Sequence, residues 1–208
     1  RRAAGREDVA LAGSLSHAAP IVQGADWADR SQLPSEAEFE DALTELALLL
    51  KDAGCDVLLL EMLCDPARIG PVFRAAQAAD LPVWAGFSAR RGDDGQVCGF
   101  DRSRDLALED LLDPLDAFPV SAAGMMHTPA DVTADALDIL RRRFSGPLTA
   151  YPDSGYFKMP HWQFDDCIAP EALADFARGW IRTQGVQVLG GCCGLGPEHI
   201  AALAPLRD

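Results

Sequence analysis

Residues 186–194 read VQVLGGCCG, a short apolar run that ends in glycines and two adjacent cysteines. Five other apolar runs alternate with longer segments that have helical periodicity. They are VALAGSL (9–15), VLLLEM (57–62), PVWAGFSA (82–89), FPVSAAGMMH (118–127) and PLTAYPDSG (147–155). Continuous apolar strands separated by helices are typical of a parallel sheet that is buried on both faces. The sequence therefore predicts an α/β fold with about six βα units.

The segments between the strands carry helix signals. Ser35 and Glu38 form a capping-box pattern ahead of FEDALTELALLL, and Gly54 supplies a stop. Further helices are predicted at 65–80, 129–144, 170–184 and 197–206. Six such units fit an open doubly wound sheet, or a (β/α)8 TIM barrel that lacks its first one or two strands.

Length and charge narrow the class of protein. The 208 residues are 49% hydrophobic and suit one buried core, so we expect residues 1–208 to form a single, N-terminally incomplete barrel domain. The net charge of −14 argues against nucleic acid or an anionic membrane as the main partner. The first ten residues, RRAAGREDVA, lack the apolar core of a secretory signal. We expect a cytoplasmic protein.

Polar side chains stand where five of the apolar runs end. Parallel α/β proteins place their active sites at the carboxyl ends of their strands. The residues concerned are Glu61, Ser88, His127, Asp153, Cys192 and Cys193. The sequence therefore predicts one site at this edge of the sheet.

Cys192 and Cys193 are the first candidates for metal binding. Neighbours on a regular strand point to opposite faces, but Gly191 and Gly194 allow the backbone to turn so that both thiolates converge. Zinc prefers thiolates, and His127 is a candidate third ligand from a strand two places away. Three protein ligands leave a fourth position for substrate. The alternatives are two buried free thiols and a histidine that only hydrogen-bonds in a pocket wall.

Glu61, Ser88 and Asp153 are candidates for substrate binding. A carboxylate directly after VLLL is costly to bury alone, and a substrate ammonium group would be a partner for Glu61. Asp153 has a structural alternative, a turn formed with the glycine of YPDSG. Aromatic side chains after this turn are suited to enclosing a cationic methyl group, or else pack on the surface. They are Tyr156, Phe157 and Trp162.

GGCCG at 190–194, followed by GPEHIAAL, is similar to the zinc motif and following helix of the homocysteine S-methyltransferase family. Other segments agree in the family's order: AGSL (12–15), AGCDVLLLEM (53–62), LPVWAGFS (81–88), YPDSG (151–155) and GW (179–180). The resemblance implies a (β/α)8 barrel, zinc on three cysteines, and methyl transfer from a sulfonium or quaternary ammonium donor to homocysteine, giving methionine. S-methylmethionine, S-adenosylmethionine and a betaine all remain open as the donor.

The chain departs from the family pattern at three places. The family's first zinc cysteine ends a GVNC segment, which reads GMMH here, so that His127 stands at its position. The family's amino-terminal strand with its DGG segment has no counterpart, and the asparagine of YPNSG is Asp153. Because histidine also ligates zinc, the resemblance implies zinc on His127, Cys192 and Cys193, with Glu61 holding the substrate ammonium.

Two other functions compete with this one. A zinc-free barrel enzyme would bind phosphate through backbone amides at the glycine-rich strand end and the helix that starts at Pro197. A truncated barrel would act only as a binding domain, and its unpaired strand edges would promote self-association. Zinc content separates these functions, because only the methyltransferase requires the metal.

Overall fold

The computed structural model describes residues 9–16, 29–158 and 160–207, with only the backbone of residues 30 and 157. Strands are numbered in chain order. Six of them form the main sheet: β1 (Ala12–Ser16), β2 (Val57–Leu63), β3 (Val83–Phe87), β6 (Ala122–Pro129), β7 (Leu148–Asp153) and β10 (Val186–Leu189). The others form two hairpins: β4 (Ala89–Arg91) with β5 (Val97–Gly99), and β8 (Tyr156–Lys158) with β9 (His161–Gln163).

Helices follow the strands of the main sheet. They are α1 (Glu36–Asp52), α2 (Pro66–Gln77), α3 (Pro114–Ala117), α4 (Ala130–Arg141), α5 (Pro170–Gln184) and α6 (Pro197–Leu203). Short 3-10 helices lie at Arg30–Gln32, Leu108–Leu111 and Ala204–Arg207. No helix in the described ranges is long and apolar enough to cross a membrane.

Local sequence explains where α1 begins and ends. The amide of Glu38 donates to the Ser35 hydroxyl at 3.3 Å, and the Ser35 amide donates to the Glu38 carboxylate at 3.0 Å. This is the predicted capping box, which satisfies two backbone donors that the first turn leaves unpaired. Gly54, with φ 87°, adopts the left-handed conformation that ends the helix and leads into β2.

The order of the strands decides between the two predicted architectures. The sheet runs β1-β2-β3-β6-β7-β10, and every neighbouring pair is parallel. A doubly wound sheet reverses its order at a switch point, whereas each strand of a barrel lies beside its predecessor. The observed order is the barrel order. The predicted class, parallel α/β with about six βα units, is confirmed, and the doubly wound alternative is wrong.

The core lies between the sheet and the helices that cover it. Strand β2 is apolar except for Glu61 and buries Leu58, Leu60 and Leu63 completely, as expected for a strand of a sheet that helices cover. Helix α5 buries Leu173 and Trp180, spaced seven residues apart on one face. This packing fixes the strands, and therefore the loops that follow them.

Both hairpins lie beyond the carboxyl edge of the sheet. Hairpin β4–β5 follows β3 after one residue, and hairpin β8–β9 follows β7 after two. They were not predicted from the sequence, because each strand is only three residues long. Their position adds polar and aromatic side chains to the edge where the site was expected.

Candidate metal centre

His127 lies in a bulge of β6. The pairing of β6 with β7 passes from Met126 opposite Tyr151 to Pro129 opposite Asp153, so three steps on β6 match two on β7. His127 adopts φ 45°, a left-handed conformation in which histidine is several-fold enriched. A bulge changes the direction of a side chain, and the His127 ring here faces the end of β10.

Cys192 and Cys193 lie on a loop that is bonded to the end of β7. The Cys192 amide donates to the Pro152 carbonyl at 2.8 Å, and the Ser154 amide donates to the Cys193 carbonyl at 2.9 Å. Gly194 then takes φ 77°, and a Cβ there would lie 2.4 Å from the Ser154 carbonyl oxygen. The two sulfurs are 3.8 Å apart. The thiols therefore converge as predicted, and the second flanking glycine makes the left-handed turn.

The three predicted ligands form one group. A ring nitrogen of His127 and the sulfurs of Cys192 and Cys193 all lie within 4.8 Å of one another, and Nδ1 is 3.5 Å from the Cys192 sulfur. Tetrahedral zinc bonds of about 2.3 Å to sulfur and about 2.05 Å to nitrogen would separate two sulfurs by about 3.8 Å and a sulfur from a nitrogen by about 3.6 Å. Two edges of the triangle already have these lengths. The donor set and its spacing therefore fit zinc.

The electrostatics of the group favour a thiolate at Cys193 rather than at Cys192. The hydrogen bond from Cys192, followed by that from His127, lowers the pKa of Cys193 to about 4. The same contact and burial raise the pKa of Cys192. Burial lowers the pKa of His127, but the bond to Cys193 and the charge of Asp153 outweigh it and raise the pKa overall. The lowered pKa of Cys193 favours its thiolate, the form that binds metal.

Asp153 lies beside the three ligands. Its Oδ2 is 4.0 Å from Nε2 of His127, and both side chains are about 95% buried. Its Oδ1 is buried and has no hydrogen-bond partner among the described residues. Burial raises the pKa of Asp153 to about 6. The structure therefore joins this predicted substrate-binding residue to the predicted metal ligands.

Glu61 and Ser88 stand at the same edge of the sheet but are not part of the three-ligand group. Glu61 is half-buried in β2, next to Met62, where a second bulge gives a φ of 55°. Ser88 directly follows β3 and is fully buried. Its hydroxyl has no hydrogen-bond partner in the described part of the chain. Among the described residues, the Ser88 hydroxyl therefore keeps unused hydrogen-bonding capacity close to the end of β3.

Two aromatic rings stand edge-on to His127. The centroid of Phe100 is 4.8 Å from that of the imidazole, and the centroid of Trp162 is 5.4 Å from it. The two rings stack on each other at 6.4 Å. Trp162 was a candidate from the sequence, whereas Phe100 was missed. Phe100 lies outside the apolar runs that indicate strands or helices. It reaches this edge of the sheet because it directly follows the β4–β5 hairpin.

The other aromatic candidates do not reach the group in the same way. Tyr156 is 44% exposed, and its hydroxyl donates to the Asp165 carboxylate at 3.2 Å. Its ring therefore packs on the surface, which is the alternative given above. The side chain of Phe157 lies outside the described residues.

Comparisons with known proteins agree with this geometry. The family model for homocysteine S-methyltransferase matches residues 1–206. The chain is 28% identical over 192 residues to homocysteine S-methyltransferase YbgG of Bacillus subtilis, covering 87% of this chain and 58% of the relative. It is 30% identical over 161 residues to homocysteine S-methyltransferase of Escherichia coli, covering 74% and 48%.

Solved structures show the same relationship. The apo form of the homocysteine methyltransferase MmuM from Escherichia coli superposes with a TM-score of 0.68 at 25% identity, covering all of this chain and 65% of that one. The metallated form gives 0.60 at 25% identity over 80% and 52%. The chain thus spans about half to two thirds of the length of these relatives. Sequence, fold and ligand group agree, and the chain belongs to the homocysteine S-methyltransferase family.

Proposed function

We propose that this chain holds one zinc ion and transfers a methyl group from a sulfonium or quaternary ammonium donor to the thiol of homocysteine, giving methionine. The observation that carries the proposal is the group of His127, Cys192 and Cys193, gathered within 4.8 Å at the carboxyl edge of a barrel-ordered sheet. Residues 1–208 act as one domain. The protein works in the cytoplasm, where a reducing environment keeps its thiols free.

Three protein ligands and the substrate thiol would together complete the coordination of the zinc ion. When bound, zinc keeps a substrate thiol in its nucleophilic thiolate form at neutral pH. His127, Cys192 and Cys193 supply three protein ligands and leave one position for that thiol. Because the nucleophile is already deprotonated, the chain needs no general base during the transfer itself. Its other residues orient the two substrates.

Glu61 and Ser88 are proposed to bind homocysteine. Glu61 is half-buried at the bulge of β2, where a carboxylate attracts the substrate ammonium group more strongly than it would in water. Ser88 offers a buried hydroxyl without a partner in the described chain, and a polar substrate atom would satisfy it. Contacts of Glu61 and Ser88 with the polar groups of homocysteine would fix its thiol for in-line attack on the donor methyl group.

Phe100 and Trp162 are proposed to shape the position of the methyl donor. Both rings lie beside His127, and Trp162 is half-buried in the β8–β9 hairpin. Aromatic faces attract sulfonium and quaternary ammonium groups through their quadrupole, and an apolar wall also excludes competing water. A cationic methyl donor is therefore matched to the surroundings of the ligand group.

Replacing Trp162 with Leu tests this donor position. We expect kcat/KM for the donor to fall about 3- to 30-fold, the value of one cation–π contact, with unchanged zinc content. Tyr156→Leu is the matched control, because it removes an exposed ring from the same hairpin. Initial rates at varied donor concentration measure the effect. Equal losses in the two variants would show that Trp162 only supports the hairpin.

Zinc content and methionine formation test the proposed function directly. Protein purified without chelator is expected to contain about one zinc per chain. Incubation with homocysteine and each donor in turn, S-methylmethionine, S-adenosylmethionine or glycine betaine, should give methionine with one of them. Chain that binds no zinc after reconstitution under reducing conditions would refute the proposal. Chain that binds zinc without forming methionine would leave a metal-binding domain.

The phosphate-binding alternative has less support. It requires free backbone amides at the start of α6, but the Gly196 amide donates to Nδ1 of His199 at 3.0 Å. Nε2 of the same buried histidine lies 2.7 Å from the Ile168 carbonyl. The Gly196 amide at the start of this helix is therefore already paired, through a histidine that contacts the neighbouring loop.

A further inference from the structure

We infer that Asp153 is the positioning residue of the metal centre: its carboxylate accepts the Nε2 proton of His127 and so leaves Nδ1 free to bind the metal. This inference rests on the proposed zinc site. It gives a second role to a side chain that the sequence suggested only as a substrate ligand.

The geometry of the ring assigns its two nitrogens to different partners. Nδ1 of His127 faces the sulfur of Cys192 at 3.5 Å, so Nδ1 is the nitrogen on the ligand side. A nitrogen that binds metal carries no proton, and in a neutral imidazole the proton must then be on Nε2. Nε2 faces Oδ2 of Asp153 at 4.0 Å. The proton is therefore directed at the carboxylate.

Burial makes this contact effective. His127 is 4% exposed and Asp153 is 5% exposed, so little water competes for the Nε2 proton. The neighbouring rings of Phe100 and Trp162 stand edge-on to the imidazole and offer no strong acceptor. A hydrogen bond requires a separation of about 2.9 Å, so the two side chains need to approach by roughly 1 Å. Ligand histidines commonly donate to such carboxylates, which fix the ring and raise its basicity.

One structural feature sets both side chains. The bulge that turns His127 out of β6 ends at Pro129, which pairs with Asp153 on β7. The register that directs the ring therefore also places the carboxylate beside it. Only Oδ2 faces the ring, while Oδ1 has no partner in the described chain. One oxygen thus remains available to a substrate group, so the two roles are compatible.

A double-mutant comparison tests the inference. Asp153→Asn should weaken zinc binding about 10- to 100-fold, the usual effect of losing such a partner. In a His127→Cys background the same change should alter zinc affinity less than about threefold, because a thiolate has no second nitrogen to orient. Competition with a chromophoric chelator gives the affinities. The cobalt-substituted proteins report the ligand geometry by absorption.

Asp166→Asn is the matched control, since it removes the same charge from an exposed position nearby. It should leave zinc affinity unchanged. Equal losses from Asp153→Asn in both backgrounds would show a general charge or folding effect and overturn the inference. No loss in either background would also overturn it.

The tautomer of His127 in metal-free protein gives a readout that is independent of zinc. At alkaline pH, where imidazole is neutral, two-bond nitrogen–proton NMR spectra should show the Nε2-protonated form, and Asp153→Ala should reduce its population. The His127→Cys spectrum assigns the signal. An Nδ1-protonated ring in the wild type would overturn the inference. Failure of the wild type to bind zinc would refute the proposed function and leave this result standing.

Discussion

Cys192→Ser is expected to reduce the zinc content from about one per chain to a small fraction of that value. Serine stays protonated at neutral pH and is a poor zinc ligand, so the variant loses one of three protein donors. The free energy of zinc binding to four-ligand sites is about 10–16 kcal/mol, or roughly 3 kcal/mol for each ligand. Losing one ligand is therefore expected to lower the zinc affinity about 100-fold or more. Cys193→Ser should behave in the same way, because both sulfurs belong to one group.

Metal analysis after gel filtration, together with chelator competition, measures this loss. Cys55→Ser is the matched control, because Cys55 is a half-buried free thiol that precedes β2, at the opposite edge of the sheet. It should keep its zinc. An unchanged zinc content in Cys192→Ser would show that Cys192 is not a zinc ligand. Loss of zinc in both Cys192→Ser and Cys55→Ser would indicate a general destabilisation of the protein.

Gly124→Ala is expected to be the most destabilising single-methyl change in the sheet. A Cβ at Gly124 would lie 1.9 Å from the carbonyl oxygen of Thr149 and 2.1 Å from its hydroxyl. These residues are directly paired between β6 and β7, so relief requires the two strands to separate. We expect the free energy of unfolding to fall by about 3–5 kcal/mol, above the usual cost of overpacking.

Gly179→Ala provides the opposite outcome with the same added methyl group. Gly179 lies inside α5, and a Cβ there would meet no atom within 4 Å. Alanine in a helix interior should stabilise the chain by about 0.5–1 kcal/mol. Urea unfolding followed by circular dichroism compares both variants with the wild type. A destabilisation below about 1 kcal/mol for Gly124→Ala would show that β6 and β7 are further apart than described.

Cys192→Ser and Gly124→Ala are expected to differ in whether the loss of zinc is accompanied by a loss of stability. Gly124 lies three residues before His127, so its substitution perturbs the bulge that directs the ligand as well as the sheet. We therefore expect Gly124→Ala to lose both stability and zinc. Cys192→Ser affects a loop beyond β10 and should leave the unfolding transition of metal-free protein nearly unchanged.

The six strands of the main sheet and the five helices longer than one turn were predictable from the sequence. Helix α5 was predicted at 170–184 and found at the same residues, and β2 was predicted at 57–62 and found at 57–63. These signals are local: the period of apolar residues, a cap at the start and a glycine at the end. The glycines around Cys192 and Cys193 are also a local signal, which is why the convergence of the two thiols was predictable.

Tertiary structure decided how these parts combine. The sequence predicted that His127, Cys192 and Cys193 lie at one edge of a parallel sheet, because the carboxyl ends of all its strands lie at that edge. The bulge of β6, the approach of Asp153 to Nε2 of His127 and the position of Phe100 could not be predicted from the sequence. Each of these depends on the register between strands or on a short hairpin that distant contacts hold in place. Register depends on how two segments pair, and a slip of one residue moves every side chain of a strand to the other face.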